Sequence, residues 1–87
     1  MDKLEQELRE RTGVDELLNL QINSLDEGRE AMSKIDEHSK ALIIEMREKQ
    51  LNNHDQAIYS DVRYDLKTAR HQMHIQMSRF VRLKHRG

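Results

Sequence analysis

At 87 residues the chain holds at most one small domain, and with 36% hydrophobic against 36% charged residues its core is lean. The absence of cysteine excludes a disulfide framework and a cysteine-based zinc site, and proline and tryptophan are absent too. The net charge of −1 conceals an uneven division: residues 1–50 carry eight Lys/Arg against thirteen Asp/Glu, residues 51–87 seven against three, with four of the five histidines.

That division has two readings. An acidic helix folded back on a basic one neutralises itself, which favours an antiparallel hairpin. Alternatively, the basic half faces an anionic partner such as nucleic acid or a membrane surface. The hairpin is the preferred reading. Small chains without covalent or metal staples often oligomerise, so a homodimer or a helical protein partner is expected. No apolar segment follows Met1-Asp2-Lys3-Leu4-Glu5, and no run approaches the ~20 apolar residues of a membrane span. The expectation is a soluble intracellular, cytoplasmic protein.

Residues 2–11 are strongly helix-prone, with Leu4 and Leu8 on one side and Glu5–Arg9 and Glu7–Arg11 pairs one turn apart. Two leucines are few to anchor a helix, so this segment reads as a frayed extension or a short arm packing on the bundle. Thr12-Gly13 is the first punctuation. Gly13 suits a helix end, and Thr12 with Asp15 fits a capping box opening the next helix.

A long helix is predicted over 14–51. Leu18, Gln21, Leu25, Gly28, Met32, Ile35, Ser39, Leu42 and Met46 recur every three or four residues, the pattern of an amphipathic helix that needs a partner. Its stripe is impure, because Gln21, Gly28 and Ser39 sit among the apolar residues. Small residues there let a neighbour approach closely; polar layers could also select register. Ile22, Ile43 and Ile44 widen the apolar face beyond a two-stranded seam, which suits a bundle of three or four helices.

Residues 52–55, Asn52-Asn53-His54-Asp55, form the best turn in the chain, with Asn53 and Gln56 resembling a capping box. A second helix is predicted over 56–84, with the stripe Ile58, Val62, Leu66, Ala69, Met73, Met77 and Phe80 and a basic end that suits its dipole. At 1.5 Å per residue the two long helices would span roughly 55 and 45 Å.

Few residues point to chemistry. His71 and His74 stand one turn apart and could share a metal, but zinc needs a third ligand, so an exposed pair of ordinary histidines is the plainer reading. No nucleophile elbow, phosphate loop, dinucleotide turn or H-E-x-x-H is present, and the carboxylates fall at solvent-facing positions. No enzyme, cofactor, metal or small-molecule substrate is expected. Arg63, Lys67, Arg70, Arg79, Arg82, Lys84 and Arg86 make the last helix basic and are the candidate contacts to an anionic partner. Met32, Met46, Met73 and Met77 lie on the stripes, where methionine serves as core filler or lines an adaptable groove.

Gly13-Val14-Asp15-Glu16-Leu17, Gly28-Arg29-Glu30-Ala31-Met32 and Ile35-Asp36-Glu37-His38 together resemble the first half of a glutamine-type SNARE helix. Asp65-Leu66, Ala69 and Met73, followed by Arg79 and a basic end, are similar to its membrane-proximal part. The resemblance implies a membrane-fusion coiled coil assembling in parallel with three partner helices. Here His38 stands where that family has its central glutamine.

The sequence therefore predicts an all-α protein: a single domain over 1–87 built on a long antiparallel, coiled-coil-like hairpin. A four-helix bundle would be completed by dimerisation or by a partner. The expected role is protein binding, as an adaptor, small chaperone or inhibitor. The interface residues would be Leu18, Leu25, Met32, Ile35, Leu42, Met46, Ile58, Val62, Leu66, Met73, Met77 and Phe80.

Overall fold

The computed structural model describes residues 2–86, with side-chain surroundings described as far as Arg82. Four helices follow one another: α1 (Lys3–Thr12), α2 (Val14–Leu18), α3 (Leu25–Glu48) and α4 (Asn53–Arg86), with no strand among the described residues. The long helices α3 and α4 pack against each other as the expected hairpin. The kinked pair α1–α2 lies along α4, running in the same direction. Asp2 meets His54 near the start of α4, Arg9 meets Asp65 in its middle, and Leu20 and Ile22 meet Gln76 further along.

Local chemistry sets each boundary. The Asp2 carboxylate accepts the Leu4 amide at 2.8 Å and caps α1. Gly13 ends α1 in the left-handed region at φ 64, and its amide donates to the Arg9 carbonyl at 3.0 Å. Thr12 does not open α2 as a capping residue. It belongs to α1, is buried, and donates its hydroxyl to the Leu8 carbonyl at 2.8 Å. At the hairpin turn the cap is Asn52 rather than Asn53, its side chain accepting the Asp55 amide at 2.7 Å. The turn accordingly closes one residue before the predicted box.

The single helix predicted over 14–51 is not formed. Helix α2 stops at Leu18, and α3 begins only at Leu25. Ser24 accepts the Glu27 amide at 3.2 Å, and the Glu27 carboxylate accepts the Asn23 amide at 2.7 Å, so the new helix start has its own partners. The intervening residues are tied to α4 by one side chain. Gln76 accepts the Ile22 amide at 2.8 Å and donates to the Leu20 carbonyl at 2.9 Å. With 24 residues α3 is about 36 Å long, shorter than expected, whereas α4 with 34 residues reaches about 51 Å.

The core runs along α4. Val62, Leu66, Ala69 and Met73 have no exposed surface, flanked by Ile58 and Tyr59 at 7% and 2%. Helix α3 supplies Ala31, Ile35 and Leu42, and the N-terminal pair supplies Leu8, Val14 and Leu17. Of the two readings of this segment, the short arm packed on the bundle is the one formed, with Leu8 1% exposed.

Near the start of α3, Gly28 lies against Met77 of α4. A β-carbon at Gly28 would lie 2.5 Å from Met77 Cγ, 2.8 Å from its Sδ and 3.0 Å from Ile22 Cδ1. Gly28→Leu is expected to destabilise the fold by about 1–3 kcal/mol through overpacking. In a Met77→Ala background that loss should shrink. Urea unfolding midpoints of the single and double variants test this, and an equal loss in both backgrounds would refute the contact.

Candidate partner-binding face

The residues expected at a partner interface are largely engaged within the chain. Ile35, Leu42, Ile58, Val62, Leu66 and Met73 are buried, and Leu18, Met32, Met46, Met77 and Phe80 pack partly buried against them. Leu25 is half-buried in the first turn of α3. Helices α1 and α2 supply much of the cover that the sequence reading assigned to a second molecule. The stretches resembling a SNARE helix fall on α2, α3 and α4 separately.

What remains outside is the second groove of the hairpin, on the side of α4 away from Asp65 and Gln76. Ile35, Asp36 and Ser39 of α3 line it together with Ser60, Arg63, Tyr64, Lys67 and Arg70 of α4. Three of the predicted anion-contacting residues, Arg63, Lys67 and Arg70, are therefore brought together here. Arg79 sits elsewhere, beside Leu18, Gln72 and Gln76 on the other flank of α4. Arg82 is exposed further along, and the side chains of Lys84 and Arg86 lie outside the described residues.

Helix phase extends the cationic surface beyond those three. On α4, Arg63, Lys67, Arg70 and His74 recur at steps of three or four and so share one side. On α3, Arg29, Asp36, Lys40, Ile43 and Arg47 recur in the same way. The Asp36–Arg70 bridge at 2.9 Å turns that line toward the groove. The α3 carboxylates Glu27, Glu30, Glu37, Glu45 and Glu48 follow a different line, toward α1–α2 and solvent, where Arg11 meets Glu45 at 2.6 Å. Of the α3 cations, Lys40 is expected to pair with Asp36 one turn away, as Lys34 does with Glu30 and Lys49 with Glu45. Asp36 is taken by Arg70 instead. Arg29 and Arg47 were not singled out because their half of the chain is acidic in sum. Their phase was the available signal.

Among the described residues Lys40, Arg47, Arg63 and Lys67 make no ion pair. Arg63 instead rests a guanidinium nitrogen 3.9 Å from the Met46 sulfur. Tyr64 stands 69% exposed among them, and Ile75 is 44% exposed farther along the same helix. Half-buried Met32 and Ile43 continue the apolar floor along α3. Chemically, this face offers fixed positive charge, several fork-shaped donors and a protruding aromatic.

The opposite flank is closed by charge pairs. Arg9 reaches Asp65 at 2.6 Å and Asp15 at 2.8 Å. Its guanidinium is held above its ordinary pKa first by the bond to Asp65, with burial opposing and the nearby charges of Asp65 and Asp15 adding. Burial acts against the Glu45 carboxylate, but hydrogen bonds from Arg11 and Lys49 outweigh it and lower its pKa. Among the described residues no buried side-chain nitrogen or oxygen lacks a partner, and no group of three His, Asp or Glu side chains is placed to hold a metal. Among them, too, no helix is long and apolar enough to cross a membrane. Comparison with protein-family models, curated proteins and solved structures gives no match to this chain.

His54 and Asp2 meet at 2.8 Å and clasp the beginning of α1 to the beginning of α4. The hydrogen bond to Asp2, then its charge, raises the His54 pKa; the same bond, then the Leu4 amide, lowers that of Asp2. A raised histidine contributes stability below its unfolded value of ~6.5 and loses it as pH rises through the folded value. A lowered carboxylate contributes above its unfolded value of ~3.9 and loses it as pH falls through the folded one. The clasp is therefore fully formed between those two unfolded values and loosens above pH ~6.5 as His54 deprotonates. An NMR titration should place the His54 midpoint higher in the native chain than in Asp2→Asn. Identical midpoints would show that no such clasp exists in solution.

Proposed function

We propose that this protein is a non-enzymatic protein-interaction module, of adaptor or inhibitor type, whose working surface is the outer face of the α3–α4 hairpin. The observation that carries this reading is the exposed Tyr64, set beside Arg63 and Lys67, which have no carboxylate partner among the described residues, in a groove between two packed helices. Interfaces between proteins are enriched in Tyr, Arg and Met at their centres, and this face combines all three. The protein acts by holding a partner, and its own helices hold the face rigid.

Cations alone would equally suit phosphates, as in a nucleic-acid or anionic-membrane binder. The groove favours a protein, because an aromatic side chain, Tyr64, protrudes at it and its width is set by two packed helices. Self-pairing through the same face would set Arg63, Lys67 and Arg70 of one copy against those of another, so a symmetric dimer built there is opposed by charge.

Placing a photo-crosslinking amino acid at position 64 should give an adduct of defined mass with a protein in the cell of origin. The same group at position 7, on exposed α1 surface, should not. The adduct should disappear in the Arg63→Glu/Lys67→Glu variant while its thermal melt stays unchanged. Equal adducts from both positions, or none from position 64, would sink this assignment.

A further inference from the structure

Accepting that the outer face binds a protein, its chemistry narrows what the partner presents. We infer that the open α3–α4 groove receives an acidic amphipathic helix, which would complete a four-helix arrangement around the hairpin. Two packed helices leave a groove on either side, and α1–α2 demonstrate what fits the first one: a helical segment that inserts Leu8, Val14 and Leu17. The second groove has the same parentage, lying between Ile35, Asp36 and Ser39 on one side and Ser60, Arg63, Tyr64, Lys67 and Arg70 on the other.

Charge selects the occupant. The α4 rim carries Arg63, Lys67, Arg70 and His74, and the α3 rim carries Arg29, Lys40 and Arg47. Two carboxylates accompany them: Asp36 is engaged by Arg70 at 2.9 Å, and Asp26 lies 3.4 Å from Arg29. The remaining cations point to Glu or Asp residues flanking an apolar stripe, since guanidinium forks match carboxylates in plane. The stripe itself would rest on half-buried Met32 and Ile43 beside the groove, with Tyr64 closing over one edge. From Arg29 to Arg47 the α3 rim is about 27 Å long, the length of a helix of about five turns.

A synthetic helical peptide with leucines at the core positions and glutamates flanking them is a direct probe, followed by NMR on the full chain. Amide shifts should concentrate at Asp36, Ser39, Arg63, Tyr64, Lys67 and Arg70, and the affinity should fall as salt is added. Arg63→Glu/Lys67→Glu should weaken binding about tenfold or more, whereas Glu7→Lys on α1 should leave it unchanged. Lys40→Glu/Arg47→Glu, on the other rim, gives an independent loss if the first pair perturbs folding. Absence of shifts overturns the inference. So does equal binding by a peptide of the same composition with its leucine phase scrambled. Tighter binding of duplex DNA or of phosphatidylserine vesicles at the same salt would overturn it in favour of a phosphate surface. A crosslinked protein at position 64 with no peptide binding would reject the acidic helix while leaving the binding face in place.

Discussion

The rest of the molecule depends on the need to cover one seam of α4 from two directions. Val62, Leu66, Ala69 and Met73 have no exposed surface, and Tyr59 extends the buried line toward the start of the helix. A single neighbouring helix covers only part of such a wide apolar face. Helix α3 provides Ala31, Ile35 and Leu42, which leaves the other flank to be closed. In a chain with few aromatic residues that closure falls to Leu8, Val14 and Leu17, so α1–α2 are drawn down onto α4. Burying each such aliphatic side chain contributes about 1.5–3 kcal/mol, a large share of what a domain this small can hold.

Bringing α1–α2 alongside α4 forces the chain to turn twice before the hairpin begins. Gly13 supplies the first bend by accepting a positive φ that a side chain would resist. The second bend, over residues 19–24, must leave polar backbone groups near the core, and Gln76 satisfies two of them with a single amide. Gly28 then lets the start of α3 settle against Met77 and Ile22 without a side chain in the way. One glycine bends the chain and another admits a neighbour; both serve the cover over the α4 seam.

The all-helical class, the antiparallel hairpin and the polar turn near Asn52 were legible from periodicity and turn chemistry. The break before α3 was concealed because Leu18, Gln21 and Leu25 keep helical spacing across it, and neither glycine nor proline marks it. Its signal was local: Ser24 and Glu27 are spaced as a capping box ahead of the apolar run, and that box forms in part. The docking of α1 was legible only as one of two alternatives. It rests on Arg9 meeting Asp65 and Asp2 meeting His54, pairings more than fifty residues apart in sequence, which counting leucines does not reveal. Of the predicted anionic-contact set, the structure gathers Arg63, Lys67 and Arg70 but sends Arg79 to the opposite flank, a difference of helix phase rather than of composition.

The acidic and basic halves of the sequence do not map onto acidic and basic halves of the molecule. Helix α3 divides its own charge by phase, giving glutamates to the side of α1–α2 and Arg29, Lys40 and Arg47 to the open groove. Neutralisation consequently runs across helices in a chain of pairs, from Arg11 to Glu45 on one side of α3 and from Asp36 to Arg70 on the other. Because the apolar stripes are largely consumed inside the fold, little greasy surface is left to hold a partner by area alone. Under the proposed binding role, discrimination would come from the positions of fixed charges around Tyr64. Such an arrangement would disfavour basic surfaces by like-charge repulsion. In that role the rim charges would set encounter rate and orientation, held at fixed spacing by the buried seam of α4.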